Sequence, residues 1–156
     1  MTKLLLVTPA FNEAEYLDAV ITAVARQSRR PDEWVIVDVV RGERGRDTLY
    51  GGLGRDRIFG GGHPDRIVGW AGSDLIRSGG GSDTVYGGSG HDVAYGGSGD
   101  DVLLAGTGTD GLYGEVGNDV LSAKDGGRDV MRGGLGRDIA IHDRGIDLCR
   151  GIERFR

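Results

Sequence analysis

The chain has 156 residues, a formal net charge of −5 and 31 glycines, roughly three times the ordinary share of glycine. The acidic balance and the lack of a basic stripe exclude a nucleic-acid binder that tracks phosphates. One cysteine, Cys149, excludes an internal disulfide, and no apolar run approaches the ~18 residues of a membrane-spanning helix.

Every glycine lies after Arg41, so composition divides the chain into residues 1–40 and residues 41–156. Residues 4–7 read as a buried strand ended by Pro9. Lys3 precedes only this short run, too short for the apolar centre of a secretory signal. Asn12 with Glu15 makes a capping-box pattern. Leu17, Val20, Ile21 and Val24 then recur at helical spacing, and Pro31 stops the helix after Arg26, Arg29 and Arg30. Trp34-Val35-Ile36-Val37 reads as a second strand, giving a βαβ order.

Val7-Thr8-Pro9-Ala10-Phe11-Asn12-Glu13 and Trp34-Val35-Ile36-Val37-Asp38 together resemble the opening of a family 2 glycosyltransferase. The resemblance implies that Pro9, Ala10 and Asp38 would sit at the nucleotide of a sugar donor. The chain then departs from that family, running Val39-Val40-Arg41-Gly42 where a second aspartate, a glycine and a serine are usual. The family's metal-binding Asp-x-Asp and its catalytic base have no counterpart. Two readings stay open: a short βαβ cap on the glycine-rich segment, or a truncated or fused fragment of a cytoplasmic nucleotide-sugar glycosyltransferase. Neither supplies a catalytic residue, and the chain is expected not to be an enzyme.

From residue 42 a nine-residue unit takes over. Its clearest copies are Gly87-Gly88-Ser89-Gly90-His91-Asp92-Val93-Ala94-Tyr95 and Gly96-Gly97-Ser98-Gly99-Asp100-Asp101-Val102-Leu103-Leu104. A period of this kind marks a stacked architecture. Position 6 is Asp47, Asp56, Asp65, Asp74, Asp83, Asp92, Asp101, Asp110 and Asp119; a one-residue insertion near Ala123-Lys124 resets the phase to Asp129, Asp138 and Asp147. Position 8 is apolar in all twelve units, from Leu49 and Ile58 to Ala140 and Cys149, and so marks the interior, which makes Cys149 a buried thiol. Glycines at positions 1, 2 and 4 allow tight turns through positive φ. The three residues after the aspartate read as a very short strand with position 8 inward. Two units make one coil of 18 residues, and coils stack through parallel strands about 4.8 Å apart. Twelve units give about six coils, odd units on one edge and even units on the other.

Gly-Gly-x-Gly-x-Asp-x-apolar-x resembles the RTX, or haemolysin-type, calcium-binding nonapeptide, which implies a mainly β fold: a right-handed parallel β-roll, a β-solenoid with two nonapeptides per coil. It implies several calcium ions held between coils by turn carbonyls and by Asp47, Asp56, Asp65, Asp74, Asp83, Asp92, Asp101, Asp110, Asp119, Asp129 and Asp138. Neighbours along an edge are then Asp83 with Asp101 and Asp101 with Asp119, or Asp74 with Asp92 and Asp92 with Asp110. Such hard oxygen donors suit calcium. Stacked carboxylates repel, and glycine-rich backbone is costly to order, so the roll is expected to fold only with calcium. That places it outside the cell, with the cytoplasm as the alternative.

The units differ. Position 5 is arginine at Arg46, Arg55, Arg128 and Arg137, and Ser73, Ser82, His91, Asp100, Thr109 and Asn118 between them. The strongest sites are therefore expected between residues 69 and 122. His63-Pro64 is expected to distort its turn, and Trp70 to pack on a neighbouring one. Tyr86, Tyr95 and Tyr113 read as ordinary outward aromatics, or else as one ligand-binding or self-association face. His63, His91 and His142 show no zinc spacing, and residues 151–156 are expected to cover the last coil. The pattern names no protein or glycan partner.

Overall fold

The computed structural model describes residues 39–143 and 146–155. The expected βαβ segment, with Pro9, Ala10 and Asp38, lies outside them. In chain order the strands are β1 (Val39–Arg44), β2 (Thr48–Leu53), β3 (Arg57–Gly62), β4 (Arg66–Ala71), β5 (Leu75–Gly80), β6 (Thr84–Gly90) and β7 (Val93–Ser98). The remaining strands are β8 (Val102–Gly108), β9 (Gly111–Val116), β10 (Val120–Ala123), β11 (Val130–Leu135), β12 (Ile139–His142), β13 (Leu148–Arg150) and β14 (Arg154–Phe155).

They form two parallel sheets. One runs β1-β3-β5-β7-β9-β11-β13, the other β2-β4-β6-β8-β10-β12-β14. The chain therefore alternates between sheets with every unit, and each strand pairs with the one a full coil away. This is the parallel β-solenoid expected from the period. Register is set at 18 residues, as in Val85 opposite Leu103. It becomes 19 across the insertion, where Leu121 faces Ala140 and Leu112 faces Met131. Residues 124–127 absorb the extra residue between β10 and β11, leaving both ladders in phase.

Two features of the unit differ from the expectation. Most strands are six residues long rather than three, because positions 1 to 3 continue the ladder before the chain turns. With side chains alternating, positions 6, 8 and the next position 1 then all face inward. Position 8 supplies a buried apolar column that includes Ile58, Ile76, Val85, Leu103, Leu121 and Met131. Position 1 supplies a column of small residues, with Ser78, Ala105 and Ala123 where glycine is not used. Cys149, expected to be buried, is only half-buried at the last full coil, where fewer neighbours cover it. β1 already pairs with β3, so the ladder includes Val39 and Val40.

Glycine is demanded by two separate constraints. Gly106 has φ +102°, and a Cβ there would run into the carbonyl of Gly88 in the neighbouring coil. Gly45 has a similar φ of +104° but open space around it. His63 does not distort its turn: it adopts the glycine-like φ of 110° and keeps the turn's shape, so the misfit is held as backbone strain. Trp70 (φ 79°) and Glu115 (φ 73°) do the same at position 2. Trp70 stays 59% exposed rather than packing on a neighbouring turn.

Replacing Gly45 with Ala is expected to cost about 1–2 kcal/mol from φ alone, and Gly106→Ala upwards of about 4 kcal/mol from φ plus overlap. His63→Gly should stabilise by about 1–2 kcal/mol. Thermal unfolding of the three variants in saturating calcium measures these differences.

Candidate calcium-binding ladder

Position 6 closes each turn, and the inward direction of the following strand carries its side chain into the roll. The aspartates are thus interior: Asp56, Asp119, Asp129 and Asp138 are fully buried, and Asp65 is the most exposed of the ten from Asp56 to Asp138 at 4%. They form two columns. In one, the backbone N–H of Asp47 donates to Asp65 Oδ1 at 2.8 Å, Asp83 to Asp101 at 2.8 Å and Asp101 to Asp119 at 2.9 Å. In the other, Asp74 donates to Asp92 Oδ1 at 2.9 Å and Asp92 to Asp110 at 2.7 Å. The edge partners expected from the period are the partners found.

The columns also run through the insertion. Asp110 N–H donates to Asp129 Oδ1 at 2.7 Å, and Asp119 N–H to Asp138 Oδ1 at 2.9 Å. At the C-terminal end Asp129 N–H meets Asp147 Oδ1 at 3.1 Å, and Asp138 N–H meets Glu153 Oε2 at 2.6 Å. Glu153 stands where the next aspartate would, while β14 pairs with β12. Residues 151–155 thus lie against the last coil, and the period did not point to Glu153 as part of the column.

From Asp65 to Asp138, one oxygen of the carboxylate is thus used by the backbone. The other, Oδ2, is buried with no hydrogen-bond partner in Asp47, Asp65, Asp74, Asp83, Asp92, Asp101, Asp110, Asp119, Asp129 and Asp138. In the central units it points back at the position-1 residue of its own unit. A Cβ on Gly87 would lie 2.7 Å from Asp92 Oδ2 and against the carbonyl of Ala105. Carboxylate and carbonyl oxygens therefore crowd the same small space.

Burial raises the carboxyl pKa values above the ordinary aspartate range, against the lowering effect of the donated N–H. Repulsion from the neighbouring aspartates adds to the rise. Asp101 is pushed up to about 7, and Asp92, Asp119 and Asp129 to about 6. Asp74, Asp83, Asp110 and Asp138 move in the same direction. At about 5 Å and an effective dielectric of about 20, one like-charged neighbour costs roughly 3 kcal/mol. A column of ionised carboxylates needs a cation or protons.

The family model of the RTX calcium-binding nonapeptide repeat matches residues 37–62, 64–85, 86–121 and 125–149, in four copies. The chain belongs to this family. The breaks in the match fall at His63, which carries the positive φ, and beside the inserted residue. No curated protein and no solved structure matches the chain.

RTX repeats bind calcium through stacked turns, and this ladder fits such an ion. Its donors are all oxygen, its free valences are the orphaned Oδ2 atoms, and its charge is negative. Among the described residues no three His, Cys, Asp or Glu side chains converge as a metal cage. A cation here must therefore draw on backbone carbonyls as well.

Position 5 acts through the backbone, which sequence reasoning missed. Asp100 Oδ1 accepts the N–H of Asn118 at 2.8 Å, Asn118 Oδ1 accepts that of Arg137 at 3.0 Å, and His91 Nδ1 accepts that of Thr109 at 3.1 Å. The signal available was a polar acceptor recurring at the coil period. Arg46, Arg55, Arg128 and Arg137 are exposed, so their charge stands off the interior column. His63 Nδ1 accepts Gly45 N–H at 3.3 Å, a contact between turns of neighbouring coils.

The raised pKa values set a direction. Between about pH 4, where free aspartate titrates, and pH 7, the metal-free roll binds more protons than the unfolded chain. Its stability therefore falls as pH rises through that window. In chelator, the far-ultraviolet β-signal should be stronger at pH 5 than at pH 7.5; with calcium present, calcium affinity should instead fall on acidification. Circular dichroism at the two pH values, with and without calcium, reads both trends.

Proposed function

We propose that Asp47, Asp56, Asp65, Asp74, Asp83, Asp92, Asp101, Asp110, Asp119, Asp129 and Asp138, with turn carbonyls, hold several calcium ions. The module is non-catalytic, and its task is to become a rigid roll where calcium is millimolar, outside the cell, with the residues before Val39 as a separate segment ahead of it. The observation that carries this reading is the pair of buried carboxylate columns with unpartnered Oδ2 atoms. A bound divalent ion supplies positive charge to carboxylates that otherwise repel. The chain supplies the rest: donated N–H groups fix each carboxylate, and glycines let successive turns approach.

The central coils are the tightest part of the proposed ladder. There each carboxylate has a neighbour on both sides, and position 5 is polar rather than arginine. Asp47, at the first coil, has only one neighbouring aspartate within the described ladder.

Calorimetric titration should show several calcium ions bound, with magnesium far weaker because calcium accepts flexible coordination by many oxygens. Asp101→Asn should lower calcium affinity and calcium-dependent stability more than Asp47→Asn. Equal losses would remove the gradient. Absence of calcium heat in the parent protein would remove the proposal.

A further inference from the structure

The roll has two outer faces, and they are unlike. In the odd-numbered sheet, position 9 brings Arg41, Phe59, Arg77, Tyr95, Tyr113 and Arg132 into one register column, continued by Arg150. The matching column of the other sheet reads Tyr50, Val68, Tyr86, Leu104, Ser122 and Ile141 and carries no charge. The tyrosines considered together from sequence therefore separate: Tyr95 and Tyr113 share a face, and Tyr86 lies on the other, under Arg66.

The charged column is ordered by stacking. The Arg41 guanidinium lies 5.1 Å from the Phe59 ring, Arg77 5.5 Å from Tyr95, and Arg132 5.8 Å from Tyr113. Tyr95 and Tyr113 stack at 4.8 Å with 13° between planes. Arg77, Tyr95, Tyr113 and Arg132 thus form a continuous cation–ring–ring–cation sandwich. Both faces of each tyrosine ring are covered by neighbours. What is left for a ligand is the exposed guanidinium N–H forks of Arg77 and Arg132 and the half-exposed edges of the tyrosine rings with their hydroxyls.

Beside this row the position-2 glycines leave a cleft of about 400 Å³, lined by Arg77, Gly79, Tyr95, Gly97 and Glu115. Glu115 is one of the non-glycine residues at positive φ, a conformation that costs about 1–2 kcal/mol. Strain of this kind gathers at functional sites.

We infer that this face binds an acidic polysaccharide, a polymer that carries carboxylates and free hydroxyls together. Guanidinium forks recognise carboxylates in bidentate fashion. Tyrosine hydroxyls donate to and accept from sugar hydroxyls, and the Glu115 carboxylate accepts from them. Single-stranded nucleic acid fits less well, because base binding needs open aromatic faces and both tyrosine rings here are covered. One side chain per coil gives a spacing of about 4.8 Å, comparable to the length of one pyranose unit and unlike the ~3.3 Å rise of an extended peptide. Against a net charge of −5, the arginine row offers a polyanion a local run of positive charge.

The test uses the full chain in saturating calcium, where circular dichroism establishes a folded roll, so a failure of calcium-driven folding and a failure of this inference are separate outcomes. Probes are a hyaluronan octasaccharide, an uncharged dextran oligomer of similar size, ten-residue oligothymidylate and phosphatidylglycerol vesicles. The expected result is binding of hyaluronan above the other three, weakened about tenfold or more by Arg77→Gln or Arg132→Gln and reduced by salt. Glu115→Gly relieves strain and keeps the fold, so it should lower hyaluronan affinity; a face that merely gathers anions would bind more tightly after that change. Stronger binding of oligothymidylate or vesicles, equal binding of dextran, or indifference to both arginine changes would each overturn the inference.

Discussion

The constraint on which this structure depends is the burial of aspartate carboxylates in register, one above another. Those from Asp65 onward are anchored by the N–H of the aspartate one coil away, and along both columns second oxygens are left without a partner inside the protein. Such a column is unstable as a set of free anions, since burial and like charge act in the same direction. A cation that accepts many oxygens resolves both at once. On the function proposed here, ion binding and folding are one equilibrium.

The glycines make that column possible. Positions 2 and 4 take φ values closed to most residues, and in the central coils the neighbouring carbonyls occupy the space a side chain would need. Position 1 leaves room for the carboxylate oxygen. Three non-glycine residues, His63, Trp70 and Glu115, hold the same conformation, which shows how firmly the stacked coils impose the turn. The apolar column at position 8 is narrow and includes alanines, so cohesion comes as much from ladder hydrogen bonds and the carboxylate columns as from packing.

Much of this was legible in the sequence. The nine-residue spacing of Asp47 to Asp119 and the apolar residues two places later gave the coil, the edge partners and the place of the insertion. What escaped was local. Glycine runs read as turns, yet positions 1 to 3 extend the strands, because the ladder of the neighbouring coil supplies partners that no short window displays. Ser78 and Ala105 became core residues for that reason. The position-5 acceptors and Glu153 were hidden because their roles appear only across a full coil. The arginine–aromatic row needs the same reading: Arg77, Tyr95 and Tyr113 are neighbours only when every second unit is compared.

The two faces and the interior divide the work. The interior carries the negative charge, on which the proposed dependence on calcium rests; the odd-numbered sheet carries the stacked arginine row. The central claim is that the carboxylate columns forbid the fold without calcium. Its most direct test is the far-ultraviolet spectrum of the chain at pH 7.5, recorded through a calcium titration from chelator to millimolar calcium. The account predicts little β-structure in chelator over residues 39–155 and a steep, cooperative rise in β-signal as calcium is added. A full β-spectrum in chelator, unchanged by calcium, would contradict it.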